Sequence, residues 1–323
     1  MKVIVQIPCY NEEQSLPATL ADLPKAVAGA DEVEFLVVDD GSRDGTAETA
    51  RKCGVRHVVR LSRNQGLARA FTAGLDACLR LGADVVVNTD ADNQYRGADV
   101  EALVRPILEG RADIVIGERP IDENPEFSWL KKKLQRLGSR VVRIASKTDV
   151  PDAPSGFRAF SREAAMKLNV LSEYTYTLET IIQAGRKNMA VASVPVRTNP
   201  AARKSRLFGS MGQYVKRSVF TILRIFILYN PLTFFMTLGL FFFGAGFLIG
   251  LRFLILMFYG DSAGHVQSLL LAVALILIGT QTMILGLQAD LIASNRKILE
   301  DVQYRVRRLF YDRESEENDK KAE

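Results

Sequence analysis

Asp90 and Asp92 stand one residue apart, directly after the apolar run Val85–Val87, and Gln94 follows two residues on. Two carboxylates so close repel each other, and burying them unpaired is costly. A hard divalent cation resolves the conflict. Oxygen ligands of this kind suit Mg²⁺ or Mn²⁺, ions that also take phosphate oxygens. Such an ion would screen the charge that develops on a departing diphosphate. The bland alternative for an isolated Asp-x-Asp is a solvated turn. Asp39 and Asp40 follow a second apolar run in the same way. They are expected either to shape the turn before "GSRDGT" or to hydrogen-bond base or ribose hydroxyls.

These groups need a scaffold that brings loop ends together. The first part of the chain supplies short apolar runs suited to buried strands: "KVIVQIP", "EVEFLVVDD", "VRHVVRL", "ADVVVNTD" and "ADIVIGE". Helical stretches alternate with them over Glu12–Val27, Thr46–Lys52, Gly66–Leu81 and Ala98–Leu108. This alternation predicts an α/β domain with a mostly parallel sheet, whose site gathers at the C-terminal ends of the strands. A polar cluster follows every run there: "PCYNEE", "DDGSRDGT", "SRNQG", "DADNQ" and "GERP". That coincidence favours the cation reading of the aspartate pair. No internal repeat, Gly-rich phosphate loop or G-x-G-x-x-G is found.

The chain has 323 residues, is 48% hydrophobic and carries a formal charge of +5. The excess is local, because no Asp or Glu occurs between Thr180 and Gly260. Such a stretch suits phosphorylated lipid or an anionic membrane surface, or nucleic acid. Two runs decide among these. Leu232–Leu251 is free of charge over 20 residues and Val266–Ala289 over 24, each long enough to span a bilayer. Lys and Arg cluster before the first run and after the second, which predicts two spans with both termini cytoplasmic. Between Gln213 and Tyr229, Val215, Val219, Ile222 and Phe226 fall on one helical face and Lys216, Arg217 and Arg224 roughly opposite. That pattern predicts a helix lying in the membrane surface. The last residues, "DRESEENDKKAE", read as a disordered tail. Val3–Pro8 is too short for a signal peptide, and Cys9, Cys53 and Cys78 form no metal-ligand spacing. The expected layout is a catalytic domain over 1–210, an interfacial helix over 211–229, two transmembrane helices over 230–290 and a cytoplasmic C-terminal tail over 291–323.

"IPCYNEE", "VVDDGSRDGT", "NQGLARAFTAGL", "DADNQ" and "DAPSGFRAF", in this order and spacing, resemble the GT-A (Rossmann-like) glycosyltransferases of family 2 that act on polyprenyl phosphates. The resemblance covers Met1 to about Phe208. It implies transfer of a hexose from a nucleotide-diphosphate sugar to a membrane polyprenyl monophosphate. Pro8, Tyr10, Asn11 and Glu12 match the motif lining the base pocket. Asp39 matches the nucleoside contact, and Asp40, Asp90, Ala91 and Arg119 complete the donor side. Asp90, Asp92 and Gln94 match the metal-binding D-x-D-x-Q. Asp152, Ser155, Gly156 and Arg158 match the segment beside the reacting centre, with Asp92, Asp152 and Arg158 read as catalytic and Ser155 and Gly156 as facing the acceptor. Arg158 has a competing reading, an ion pair within the fold. "RKSRL" resembles the family's acceptor loop, G-x-S-K-L, with Arg203 in place of its glycine and Arg206 in place of its lysine. Arg203, Lys204 and Arg206 are therefore read as acceptor-binding, and they could equally hold anionic lipid heads. Glu179 is a further candidate to face the acceptor.

A lipid monophosphate is mostly dianionic at neutral pH, so it needs positioning and screening more than a base. Single displacement with inversion follows, and Asp152 then orients more than it deprotonates. Three other classes compete with this one. A processive polysaccharide synthase would carry Q-x-x-R-W, but the single Trp, Trp129, lies in "FSWLKKK". A binding module that had lost catalysis would not need an intact D-x-D-x-Q. No nucleic-acid module accompanies the basic stretch. The implied partners are the sugar donor, the polyprenyl phosphate and membrane lipids, with Mg²⁺ or Mn²⁺ as cofactor. A homo-oligomer is compatible with this layout.

Overall fold

The computed structural model describes residues 1–120, 148–170, 176–199, 230–259 and 266–322, with isolated positions at 143, 146, 220, 223, 224, 227 and 228. Arg203, Lys204, Arg206, Trp129 and most of the amphipathic stretch before the first apolar run lie outside the described residues. The described chain forms two compact units, Met1–Ser218 with Val302–Glu323, and Val219–Asp301.

In the first unit, seven strands make one sheet: β1 (Lys2–Cys9), β2 (Glu32–Asp39), β3 (His57–Arg60), β4 (Val85–Asn88), β5 (Ile114–Glu118), β6 (Arg158–Ser161) and β7 (Val191–Pro195). Their order is β3-β2-β1-β4-β6-β5-β7. The pairs β1–β2, β1–β4, β2–β3 and β5–β7 are parallel, and β6 runs antiparallel between β4 and β5. Runs such as Val3–Val5 and Val85–Val87 are fully buried, as expected for strands covered on both faces. Truncating a core residue such as Ile4 or Leu36, both 0% exposed, to Ala would cost about 2–5 kcal/mol. The antiparallel strand has a consequence for function. Its first residue, Arg158, pairs with Asn88 at the end of β4. The segment entering β6 is thereby delivered to the edge where the parallel strands end.

Among the described residues six α-helices accompany this sheet: α1 (Leu16–Asp22), α2 (Thr46–Lys52), α3 (Leu67–Arg80), α4 (Val100–Leu108), α5 (Arg162–Lys167) and α6 (Thr177–Arg186). α3 buries Phe71, Leu75, Cys78 and Leu79, the spacing of a helix with one apolar face. α1 is shorter than its sequence predicted. Glu12–Ser15 forms a turn instead, with Leu16 N–H donating to Glu12 O at 2.9 Å. Leu23, in extended backbone, ends the helix, as its position before Pro24 favours.

α7 (Pro231–Phe258) and α8 (Val266–Ala322) follow. Both are long and apolar enough to cross a membrane. They pack backbone to backbone at glycines: a Cβ on Gly239 would stand 2.8 Å from Gly279 O, and one on Gly246 would stand 2.8 Å from Ala272 O. Small residues permit such close helix contact in lipid. Positions 220, 223, 224, 227 and 228 before α7 are helical, and Phe220 and Leu223 are exposed.

α8 does not end with the apolar run. The segment expected to be disordered is helical to Ala322. Tertiary contacts within the first unit account for part of this. The Tyr311 hydroxyl donates to Asp76, Arg307 donates to Leu168 O at 2.9 Å and Met166 O at 3.3 Å, and Arg80 lies 5.1 Å from the Phe310 ring centroid. These hold the helix against α3 and the end of α5.

Candidate active site

The ends of β1 and β2 are stitched together by their loops. Asn11 takes a left-handed φ of 54°. Its N–H donates to Ser42 Oγ at 2.9 Å, its Oδ1 accepts from Arg43 N–H at 2.9 Å, and Glu12 N–H donates to Thr46 Oγ1 at 2.9 Å. Pro8 is buried in β1 and Tyr10 is 38% exposed at the rim. Asp39 Oδ1 accepts from Ser42 N–H at 2.8 Å. Among the described residues its Oδ2 makes no hydrogen bond, and it lies 3.3 Å from Arg60 Nε. Asp39 thus shapes the turn and pairs with Arg60.

Asp40 behaves differently from its neighbour. Its two oxygens accept from Gln65 N–H at 2.7 Å and Gly66 N–H at 2.9 Å, and it is 3% exposed. Asp40, expected on the donor side, is placed in the structure as a brace for the entry to α3. Gly41 completes the turn at φ +65°, where a Cβ would stand 2.4 Å from Arg63 C.

β4 ends in Asn88, and the aspartate loop begins at Thr89. Ala91 is buried, and its carbonyl accepts from Thr19 Oγ1 at 2.9 Å. Gln94 N–H donates to Asp92 Oδ1 at 3.2 Å across Asn93, which has φ +56°. Burial, the first cause, and the neighbouring Asp92 push the Asp90 carboxyl up to about 7; Arg119 opposes, Glu12 adds to the rise, and Arg158 opposes again. Burial beside a second carboxylate disfavours a full pair of negative charges here unless a cation offsets them. A divalent cation with oxygen ligands fits this environment. Among the described residues no three His, Cys, Asp or Glu side chains cluster as a closed metal site. Two carboxylates with further positions left for phosphate oxygens is the arrangement Mg²⁺ commonly adopts.

The segment entering β6 closes over this loop. Gly156 N–H donates to the Tyr95 hydroxyl at 3.1 Å. A Cβ on Gly156 would lie 2.9 Å from Asp90 Oδ2, so only glycine allows this approach. Ser155 is buried and its Oγ has no hydrogen-bond partner. Arg119, at the end of β5, forms a bidentate pair with Asp152, Nε to Oδ2 at 2.7 Å and Nη2 to Oδ1 at 3.0 Å. Asp152 is 0% exposed. A buried carboxylate clamped by a guanidinium is held in one orientation.

Arg158 is 0% exposed. Its guanidinium donates to Ser155 O at 2.8 Å, Thr177 O at 2.8 Å, Thr180 Oγ1 at 2.7 Å and Ala153 O at 2.6 Å. Burial lowers its pKa to about 10, still cationic at neutral pH. Arg158, expected from its motif to be catalytic, is placed in the structure as a brace for the 153–156 backbone. The competing ion pair is not what anchors it either, since these four acceptors are neutral oxygens. Glu179 is buried, accepting from Gln183 Nε2 at 3.4 Å.

Three further residues belong to this construction and carried no motif signal. Asn88 donates to Gly156 O and to the Tyr176 hydroxyl, each at 2.8 Å, and accepts from Gln6 Nε2 at 2.9 Å. Tyr176 stacks on Phe71 at 3.9 Å. Tyr95 directly follows the D-x-D-x-Q, and its hydroxyl accepts from Gly156 N–H.

Residues 4–168 match the glycosyl transferase family 2 model. The chain belongs to that family. Its sheet, mostly parallel with one antiparallel strand, is the GT-A arrangement, and the protein is a glycosyltransferase. It is 31% identical over 206 residues to undecaprenyl-phosphate mannosyltransferase of Micrococcus luteus, covering 61% of this chain and 83% of that one. It is 30% identical over 217 residues to UDP-N-acetylglucosamine–dolichyl-phosphate N-acetylglucosaminyltransferase of Methanococcus voltae, covering 59% and 83%. Among solved structures, glucosyl-3-phosphoglycerate synthase of Mycobacterium tuberculosis, in complex with Mn²⁺, UDP and glucosyl-3-phosphoglycerate, superposes with a TM-score of 0.53 at 21% identity, covering 68% of this chain and 79% of that one. That likeness concerns the fold.

Proposed function

We propose that this glycosyltransferase moves a hexose, with inversion, from a nucleotide-diphosphate sugar to a polyprenyl monophosphate at the cytoplasmic face of the membrane. The observation that carries this reading is the presence in one chain of two features: an oxygen-lined, cation-seeking loop at the ends of the strands, and two helices apolar enough to span a bilayer. The names of the relatives support the acceptor class, since both act on polyprenyl phosphates while differing in sugar.

In this reading Asp90, Asp92 and Gln94 hold Mg²⁺ or Mn²⁺, and the ion, when bound, neutralises charge on the departing nucleoside diphosphate. Pro8, Tyr10, Asn11 and Glu12 line the base pocket, and Asp39 takes a nucleoside hydroxyl. Arg119 and Asp152 form a fixed dipole beside the donor phosphates. The buried bidentate pair keeps both groups oriented, so no reorganisation is needed during transfer. Ser155 and Gly156 let the acceptor phosphate approach the anomeric carbon, and Arg158 fixes their backbone. Arg203, Lys204 and Arg206 draw in the lipid phosphate. Residues 1–210 form the catalytic domain, 211–229 the interfacial helix and 230–290 the two spans, with both termini in the cytoplasm. The acceptor is already anionic, and the chain's task is alignment: phosphate oxygen, anomeric carbon and leaving oxygen must stand in line.

The test is a panel of radiolabelled nucleotide sugars presented to membranes carrying the protein, with and without added undecaprenyl phosphate. One donor is expected to label the lipid phase in proportion to added acceptor. EDTA is expected to stop it, and Mn²⁺ or Mg²⁺ to restore it. Labelling of a soluble saccharide instead would overturn the acceptor assignment, and full turnover in EDTA would remove the ion.

A further inference from the structure

We infer that Asn199 is a positioning residue for the cation loop; this rests on the reading of Asp90, Asp92 and Gln94 as ligands. The loop must turn sharply between its second and third ligands. It does so at Asn93, in the left-handed region at φ +56°, a backbone state that non-glycine residues seldom take unless the surroundings hold it. What holds it comes from the chain just past β7. Asn199 N–H donates to Gln94 O at 2.8 Å. The Asn199 side-chain amide donates to Asn93 O at 3.1 Å, with Tyr95 O at 3.5 Å. One residue thus grips the three consecutive carbonyls that follow Asp92.

The grip is itself anchored. Thr198 bridges Tyr95, Arg96 N–H donates to Arg197 O at 3.3 Å, and Arg197 N–H donates to the buried Asp99 at 2.6 Å. Strand pairing would need only backbone groups here. The Asn199 amide adds side-chain donors at the point where the loop leaves extended geometry. Its effect should therefore fall on the spacing of Asp92 and Gln94 rather than on the sheet. Losing one hydrogen bond of ordinary net strength changes an equilibrium constant by roughly fivefold.

The experiment uses the full chain in detergent and reads Mn²⁺ binding directly, by the loss of the free-ion electron paramagnetic resonance signal. Asn199→Ala removes the amide, and Asn199→Leu removes it while keeping the shape; Asp92→Asn is the control. Both Asn199 variants are expected to keep a cooperative melting transition and to raise the Mn²⁺ dissociation constant about fivefold. Their transfer rate should return to the wild-type value at saturating Mn²⁺. Unchanged Mn²⁺ binding in both, with binding lost in Asp92→Asn, would overturn the role of Asn199 alone. Wild-type binding by Asp92→Asn would overturn the cation site and this role with it. Mn²⁺ affinity lost only together with the melting transition would make Asn199 a folding residue and overturn the proposal.

Discussion

Gly156→Ala adds a single methyl group at the most crowded point of the site. Its Cβ would lie 2.9 Å from Asp90 Oδ2, 3.1 Å from Oδ1 and 3.1 Å from the Tyr176 hydroxyl. These distances are about half an ångström short of comfortable contact. Tyr176 cannot yield easily, because it is 0% exposed, stacks on Phe71 at 3.9 Å and receives the Asn88 amide at 2.8 Å. The Asp90 carboxylate must therefore move. Overpacking of this kind costs roughly 1–3 kcal/mol of stability, or about 2–4 °C in melting temperature per kcal/mol for a domain of this size. The effect on rate should be larger. A cation ligand displaced by a fraction of an ångström misaligns the leaving diphosphate, and misplacement near 1 Å can cost about 100-fold. Sugar transfer to undecaprenyl phosphate, measured beside thermal melting, is expected to show kcat lowered about 10- to 100-fold with the fold retained. Wild-type kcat with unchanged melting would mean that Gly156 and Asp90 do not approach each other in the working enzyme.

Three other outcomes are expected. Arg119→Met or Asp152→Asn breaks a buried pair and should destabilise by about 3–5 kcal/mol, and the double variant should lose less than the sum in a denaturant titration. Replacing Arg203, Lys204 and Arg206 together by Ala should raise the Michaelis constant for polyprenyl phosphate more than tenfold, on roughly 1.5–3 kcal/mol per charge-assisted contact with overlap allowed, while donor affinity measured separately stays near wild type. A reporter fused at Glu323 and a cysteine label at Ser262 should be read from opposite sides of the membrane; labelling of both from one side would end the two-span topology.

The site was legible where chemistry is carried by residue type and local spacing. Asp90 and Asp92 follow a buried strand, and the neighbouring polar clusters do meet along one edge of the sheet. β6 was not legible as an antiparallel strand. Its four residues begin with an arginine, which reads as a surface or ligand residue until Ser155, Ala153, Thr177 and Thr180 are seen to surround it. β7, Val191–Pro195, is only half-buried along most of its length and gave too weak an apolar run. Asp40 resembled its neighbour because both stand at the C-terminal end of β2, and only the α3 entry 25 residues on explains it. α8 is tied at Tyr311 to Asp76, 235 residues away, a contact that charge patterning does not reveal. Asn199 and Tyr176 act through carbonyls and a buried amide, groups that leave no motif.

The fate of the donor's β-phosphate tests the central claim most directly. Membranes carrying the protein, undecaprenyl phosphate and the accepted nucleotide sugar labelled with ³²P at the sugar-linked phosphate should leave that label in the aqueous phase as nucleoside diphosphate. A second label on the sugar should enter the lipid phase, in a product with the anomeric configuration opposite to the donor's. Recovery of ³²P in the lipid, with release of nucleoside monophosphate, would mean that a sugar phosphate is transferred and would contradict direct displacement by the lipid phosphate.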